Sequence, residues 1–418
     1  VDVHDLVEQY GTPLFVYDED QLRARCREAV AAFGDGVSYA SKAFLCVAMA
    51  RLAHEEGMAI DVSTGGELHV ALAAGVPADR LVLHGNNKSD VELSTALRAG
   101  IGRIVVDSFD ELDRLERLVP DLGVAPPKVL LRVTPGIDAH THEYVRTGQD
   151  DSKFGFTLST GLAADAVARA KASPHVNLVG IHAHIGSQVF VAEFFKNAVE
   201  ALAEFFLPLD LGELSIGGGI GVAYVEAELA PSITEWASAV HAAARTSGIT
   251  ARITAEPGRA IAAAACVTLY TVGTIKDVEV STGPATVMRR YVSVDGGMSD
   301  NVRPALYGAD YSARIADRAS DAEPVLVRVA GKHCESGDII VHDEYLPGDV
   351  RPGDLIAVPA TGAYCWSLSS NYNYLPRPAV VAVDNGSARL IVRGETEDDL
   401  LARDAGLTDF SRSEGATR

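Results

Sequence analysis

Cysteine is scarce in this 418-residue chain, which carries only Cys26, Cys46, Cys266, Cys334 and Cys365. Their number is odd, their spacing is scattered and no C-x-x-C pair occurs, so neither a disulfide framework nor a zinc knuckle is indicated. A reducing, cytoplasmic setting fits this usage. Long apolar runs are missing as well. The Ala260–Val267 stretch falls far short of the roughly 18 residues that a membrane helix requires. Positive charge is in deficit, with 36 Lys+Arg against 57 Asp+Glu and a net charge of −21. Such a surface repels phosphate backbones and anionic lipid, which argues against a nucleic-acid or membrane partner. The first twenty residues are acidic and lack a basic n-region, so a secretory leader is not expected.

What is present is the material of a packed globular protein: 47% of the residues are hydrophobic and 22% charged, which excludes a mainly disordered chain. The length exceeds what a single core usually organises, so two domains are expected. Between about residues 36 and 256, short β-type runs alternate with Ala/Leu-rich helical stretches. The runs are Val37–Ala40, Ala59–Val62, Leu81–His84, Ile104–Asp107, Val129–Val133, Leu178–His184, Glu213–Ile216 and Arg252–Glu256. Several are almost continuously apolar, as parallel strands buried on both faces should be. Gly57, Gly75 and Gly100 follow the early helical stretches, where a left-handed cap is wanted. Eight such units predict a (β/α)8 barrel over residues 23–266, with an open doubly wound sheet as the weaker alternative. From residue 267 the pattern changes to short β-branched runs divided by turns such as Pro347-Gly348-Asp349. Residues 267–418 are therefore expected to form an all-β domain, and the Thr12–Tyr17 run within residues 1–22 is expected to add a strand to it.

In such a barrel the chemistry sits at the C-terminal ends of the strands. Those ends hold Ser41-Lys42, Asp61-Val62-Ser63, His84-Gly85-Asn86, His182-Ala183-His184, Gly217-Gly218-Gly219 and Glu256-Pro257-Gly258-Arg259. A lone lysine after a strand is usually a surface residue. Lys42 lies between Tyr39-Ala40 and Ala43-Phe44, which suggests an apolar pocket where an amine can form a Schiff base with a carbonyl. Either glycine turn alone is merely tight backbone. Together, after strands seven and eight, they suggest a phosphate cup. An aldehyde trap beside a phosphate cup implies pyridoxal 5'-phosphate (PLP). Glu256 is then either a helix-start carboxylate or the partner that keeps the pyridine nitrogen protonated. His182 and His184 alternate along one strand and so also permit a metal-dependent barrel hydrolase. A core role for His182 and a ring-stacking role for His184 are preferred, because the metal leaves Lys42 and the glycines without a task. In the β region, Cys334-Glu335-Ser336-Gly337-Asp338 sets a thiol beside a carboxylate in a turn-rich loop, and a thiol can donate a proton near neutral pH.

Taken in order, Tyr39-Ala-Ser-Lys42-Ala, His184-Ile-Gly-Ser-Gln188, Gly217-Gly-Gly219, Glu256-Pro-Gly-Arg259, Asp295–Tyr307, Cys334–Asp338 and Gly362-Ala-Tyr364 span most of the chain. This succession resembles the fold-type III, alanine racemase-like PLP-dependent decarboxylases. The resemblance implies that Lys42 carries the cofactor as a Schiff base and that His184 stacks on its ring. It implies Glu256 at the pyridine nitrogen, and Ser187, Gly218, Gly219, Gly258 and Tyr364 at the phosphate, with Arg259 close by. Arg259, Arg303 and Tyr307 would grip a distal substrate carboxylate, Glu335 would bind a distal ammonium, and Cys334 would donate the proton to Cα. A homodimer with shared sites is implied, Cys334 and Glu335 reaching the neighbouring barrel. Two arginines plus a glutamate suit meso-2,6-diaminopimelate better than ornithine, whose decarboxylases tend to show Cys-Asp. The implied reaction gives L-lysine and CO2, and a related diamino acid is the alternative substrate. Alanine racemase usually places an arginine where this chain has Glu256. Lys42 is followed by Ala-Phe where many relatives have Ala-Asn, and the Gln188–Gly217 interval is short.

Overall fold

The structure is a computed structural model and describes residues 1–136, 152–184, 186–282 and 285–406. It divides into two compact units. One holds residues 20–223 and 227–263, the other residues 1–19, 224–226 and 264–418. The division thus falls three residues before the expected 22/23 and 266/267 boundaries, and Tyr224–Glu226 group with the second unit.

The first unit is a barrel of parallel strands: β1 (Ser38–Ala40), β2 (Ala59–Val62), β3 (Leu81–Leu83), β4 (Arg103–Val106), β5 (Lys128–Thr134), β6 (Asn177–Ala183), β7 (Glu213–Ser215) and β8 (Arg252–Thr254). Each pairs in parallel with the next. The ring closes through a parallel bridge between Val37 and Ala255, where Ser38 N–H donates to Ala255 O and Ala255 N–H to Gly36 O, both at 2.9 Å. A Cβ on Gly36 would lie 2.6 Å from Ile253 O, so only glycine lets the first and last strands meet this closely. Apolar side chains from these strands, including Ile60, Leu81, Ile104, Leu131, Ile181 and Leu214, are almost fully buried. That explains their runs of unbroken hydrophobicity.

The helices between strands start and stop on local chemistry. Ser89 and Glu92 form a capping box at the start of Asp90–Ala99, which ends on Gly100 in the left-handed conformation (φ 75°). Ser232 and Glu235 repeat the box at Ile233–Thr246. The helix Phe109–Leu122 accommodates Pro120 in its final turn.

The second unit is built on one sheet, ordered Ile339–Pro347, Pro324–Ala330, Ala285–Val294, Cys266–Thr282, Leu14–Asp18, Ala379–Asp384 and Ser387–Val392. The strand Leu14–Asp18 is antiparallel to Cys266–Thr282 and parallel to Ala379–Asp384. A small core of Leu6, Leu14, Val16, Leu269, Ala379 and Val381 joins it to the helix Val3–Tyr10. No described helix is long and apolar enough to cross a membrane.

Candidate active site

Lys42 occupies a single 3-10 turn, Ser41–Ala43, directly after β1. The Tyr39 hydroxyl donates to Phe44 O at 2.8 Å and clamps the turn. Phe44 is fully buried, so the aromatic residue that departs from the decarboxylase pattern packs inward. The apolar pocket expected around Lys42 does not enclose it. Ser41, Ala43 and Phe44 are buried while Lys42 itself is exposed, because a turn three residues long cannot bury both faces. Its charge nonetheless acts on Asp61, His84 and His184.

Beside it stands the turn after β8. Ala40 N–H donates to Pro257 O at 3.2 Å. A Cβ on Gly258 would lie 2.9 Å from Ala40 O and 3.2 Å from Ala43 Cβ, so glycine brings this turn against the lysine turn. The glycine run after β7 has the same purpose. A Cβ on Gly218 would meet Glu256 O at 2.4 Å, and one on Gly219 would meet Gly186 O at 2.4 Å. Gly217 and Gly219 also adopt positive φ (67° and 108°). These glycines pack backbone on backbone across the ends of three strands.

Glu256 is the centre of the mouth. Ser215 Oγ donates to its Oε1 at 2.8 Å and His182 Nε2 to its Oε2 at 3.0 Å, while His84 Nε2 lies 3.7 Å from Oε1 and 3.6 Å from Asp61 Oδ1. Burial alone would raise the Glu256 carboxyl, but the adjacent His182 and His84, the first through its hydrogen bond, outweigh it and hold the group below the usual carboxylate range. Asp61 moves the other way. Burial and then the Glu256 charge push it well above its ordinary value, so the two neighbouring carboxyls are driven apart. Burial lowers His84 to about 4 and also lowers His182, leaving both imidazoles neutral near pH 7. His184 is driven well below its ordinary value by burial and then by the Lys42 charge, and its Nδ1 accepts from Gly218 N–H at 3.1 Å. Arg259 Nη2 donates to Ser187 Oγ at 3.1 Å.

The structure therefore brings Lys42, His184, Ser187, Gly218, Gly219, Glu256, Gly258 and Arg259 to one end of the barrel. Three further residues join them. Asp61, His84 and Ser215 each stand singly at or near a strand end in an otherwise apolar run. Position at the barrel mouth was the only signal for them. The metal reading is altered. His182 and His184 do not act as a pair, since the first turns to Glu256 and the second to Gly218. Among the described residues the chain instead gathers His84, His182 and Glu256, whose ligand atoms lie within 4.8 Å of one another.

The site holds polar atoms for a guest to satisfy. Ser41 Oγ, Asp61 Oδ1, His84 Nε2 and His182 Nδ1 are all buried without a hydrogen-bond partner. Orphans collected around an ionised carboxylate are what a ring nitrogen and its oxygen substituents would satisfy. The residues present fit PLP.

The second unit holds Arg303, Tyr307, Cys334, Glu335 and Tyr364. Cys334 and Glu335 are exposed at the tip of a loop anchored from below. Asp338 accepts from Met298 N–H at 2.6 Å and His333 N–H at 2.7 Å, and Asn373 Oδ1 accepts from Cys334 N–H at 3.2 Å. His333 accepts from the Ser299 hydroxyl at 2.8 Å and stacks on Tyr372 at 5.3 Å. Arg303 is buried, Tyr307 half-buried, and Tyr364 half-buried with a positive φ of 61°. Ile185, within the His184–Gln188 motif, lies outside the described residues.

A parallel barrel whose mouth gathers a lysine turn, glycine turns and an ionised carboxylate, in a chain that also carries a β unit, is the architecture of the pyridoxal-dependent decarboxylases. Residues 19–263 match the family model described as "Pyridoxal-dependent decarboxylase, pyridoxal binding domain". The chain is 52% identical over 414 residues to the diaminopimelate decarboxylase of Mycobacterium tuberculosis, covering 95% of this chain and 92% of that one. It is 46% identical to the enzyme of that name from Bacillus subtilis, covering 97% and 94%. Among solved structures, the diaminopimelate decarboxylase of M. jannaschii in complex with L-lysine superimposes with a TM-score of 0.88 at 31% identity, covering 96% of this chain and 94% of that one. The chain belongs to the diaminopimelate decarboxylase family.

Proposed function

We propose that the chain decarboxylates meso-2,6-diaminopimelate to L-lysine and CO2 with PLP as cofactor. The observation that carries this reading is the ionised Glu256, fixed by Ser215 and His182 at the barrel end where Gly258 packs against the Lys42 turn. Relatives of 46% and 52% identity bear the name of that activity, and a solved neighbour holds L-lysine.

When bound, the cofactor supplies a ring that takes up the electron pair left on Cα as CO2 departs. The side chains have complementary tasks. Lys42 would hold the cofactor's carbonyl carbon through Nζ. Glu256, kept anionic, would favour a proton on the pyridine nitrogen. His184, neutral and fixed by the Gly218 N–H, offers an imidazole face for stacking. Ser187, Gly218, Gly219, Gly258 and Tyr364 are assigned to the phosphate. Arg259, Arg303 and Tyr307 are assigned to the distal carboxylate and Glu335 to the distal ammonium. Cys334 delivers a proton from Sγ to Cα. The exposed, anchored loop bearing Cys334 and Glu335 supports a homodimer in which this loop serves the partner subunit's barrel, in a cytoplasmic setting.

The test is direct. The purified chain is expected to be yellow, and borohydride is expected to fix the cofactor on Lys42. Lys42→Ala should abolish turnover and leave circular dichroism unchanged. CO2 release measured across diaminopimelate, lysine, ornithine and arginine should favour the first. A colourless protein with stoichiometric zinc on His84, His182 and Glu256 would overturn the reading in favour of a hydrolase.

A further inference from the structure

Arg303 is an anomaly among the described residues. It starts the short helix Arg303–Tyr307 and is 5% exposed, yet no carboxylate of the described residues lies within ion-pair distance of it. Its Nε is buried without an acceptor. Asn301, two residues upstream and 1% exposed, likewise keeps a buried Nδ2 without an acceptor, while its Oδ1 accepts from Arg303 N–H at 3.4 Å. An unneutralised buried cation with an idle donor is costly to desolvate, so such a group persists where function needs it.

Aromatic rings hold it in place of an acid. The guanidinium carbon lies 4.3 Å from the Tyr224 ring centre and 5.5 Å from that of Tyr311. The two rings meet edge to face, 5.1 Å apart at 72°, and form a corner. Arg303 Nη1 also donates to the Tyr311 hydroxyl oxygen, which lies 3.5 Å from the buried Cys365 Sγ. Burial pushes the Tyr311 phenol well above its ordinary pKa, so it accepts the hydrogen bond without cancelling the charge. Cation–π contact fixes the plane of a guanidinium and leaves its edge donors to others. An Asp or Glu in the same place would occupy them.

We propose that Tyr224 and Tyr311 are positioning residues that hold Arg303 as a preset receptor for the substrate's distal carboxylate, and thereby select a diamino acid with a carboxylate at both ends. The proposal rests on the diaminopimelate reading above. L-lysine, the product, keeps the distal carboxylate; cadaverine has both amines and no carboxylate.

The test uses the full cofactor-loaded chain and follows KM and kcat for diaminopimelate together with inhibition by L-lysine and by cadaverine. Tyr224→Leu should raise KM and the L-lysine inhibition constant by about tenfold, with kcat within about twofold and cadaverine inhibition unchanged. Tyr224→Phe, which keeps the ring, should recover most of that loss. Tyr311→Phe, which removes only the acceptor oxygen, should raise both constants by about three- to tenfold, and it alone decides the matter if Tyr224→Leu does not fold. Parallel loss of lysine and cadaverine inhibition, or a fall in kcat at fixed KM, would overturn the proposal and leave the tyrosines a packing role. Arg303→Met separates the two levels. If it leaves L-lysine inhibition unchanged, the assignment of Arg303 to the carboxylate is wrong. If it weakens L-lysine while the tyrosine variants do not, the aromatic corner is wrong.

Discussion

At the scale of the residue, the mouth of the barrel keeps Glu256 ionised while burial lowers the histidines beside it. Glu256 is held anionic by His182 and His84 and hydrogen-bonded by His182 and Ser215, while burial and then the Glu256 charge raise Asp61. The neighbouring imidazoles are neutral because burial penalises their charged form. This has a pH signature. Folded His84 has its pKa lowered from 6.5 to about 4, so the unfolded chain binds a proton that the folded chain refuses. The resulting stability is complete above about pH 6.5 and is lost as the pH falls through about 4, up to an order of 3 kcal/mol. Urea midpoints measured between pH 7 and 4 should therefore fall more steeply in the wild-type chain than in His84→Asn. Equal slopes would mean that His84 titrates normally in the folded state.

At the scale of the element, glycine decides how closely the strand ends converge. A Cβ on Gly218 would sit 2.4 Å from Glu256 O, so Gly218→Ala must displace the Glu256 backbone. A loss of about 1–3 kcal/mol is expected, with weaker cofactor affinity, whereas Gly212→Ala meets open space and should match the wild type in urea unfolding and cofactor titration. The barrel was legible from sequence because strands buried on both faces read as unbroken apolar runs, and Gly100 and the serine caps mark where helices end and begin. Elements with little burial were not. Val3–Tyr10 buries only Leu6, and Ile339–Pro347 carries His342, Asp343 and Glu344 along its length. The site was legible as a set of residue types at strand ends, while the partners of Glu256 were not. Alternation places His182 and His184 on one face, but that rule fails where the strand ends at Ala183. Ser215, Asp61 and His84 are single polar residues whose neighbours depend on which strands pair in space.

At the scale of the whole molecule, the Cys334–Glu335 loop makes the proposed homodimer testable by mixing. Lys42→Ala and Cys334→Ala chains should each have little activity. Unfolded and refolded together with cofactor, they should regain about a quarter of the wild-type rate, because half of the random pairs then carry one intact site of two. Recovery no greater than the sum of the parents would show that each site draws on a single chain. The closure of the barrel has a separate consequence. Val37 and Ala255 join its first and last strands, and Lys42 and Glu256 stand two residues beyond those strands, one on each side of the joint. A guest gripped by both acts as a clasp on a hoop, so loading and hoop closure reinforce each other by mass action. Emptying the clasp should quicken deuterium uptake at the Ser38 and Ala255 amides ahead of the amides of Leu130 and Leu131 on the far wall.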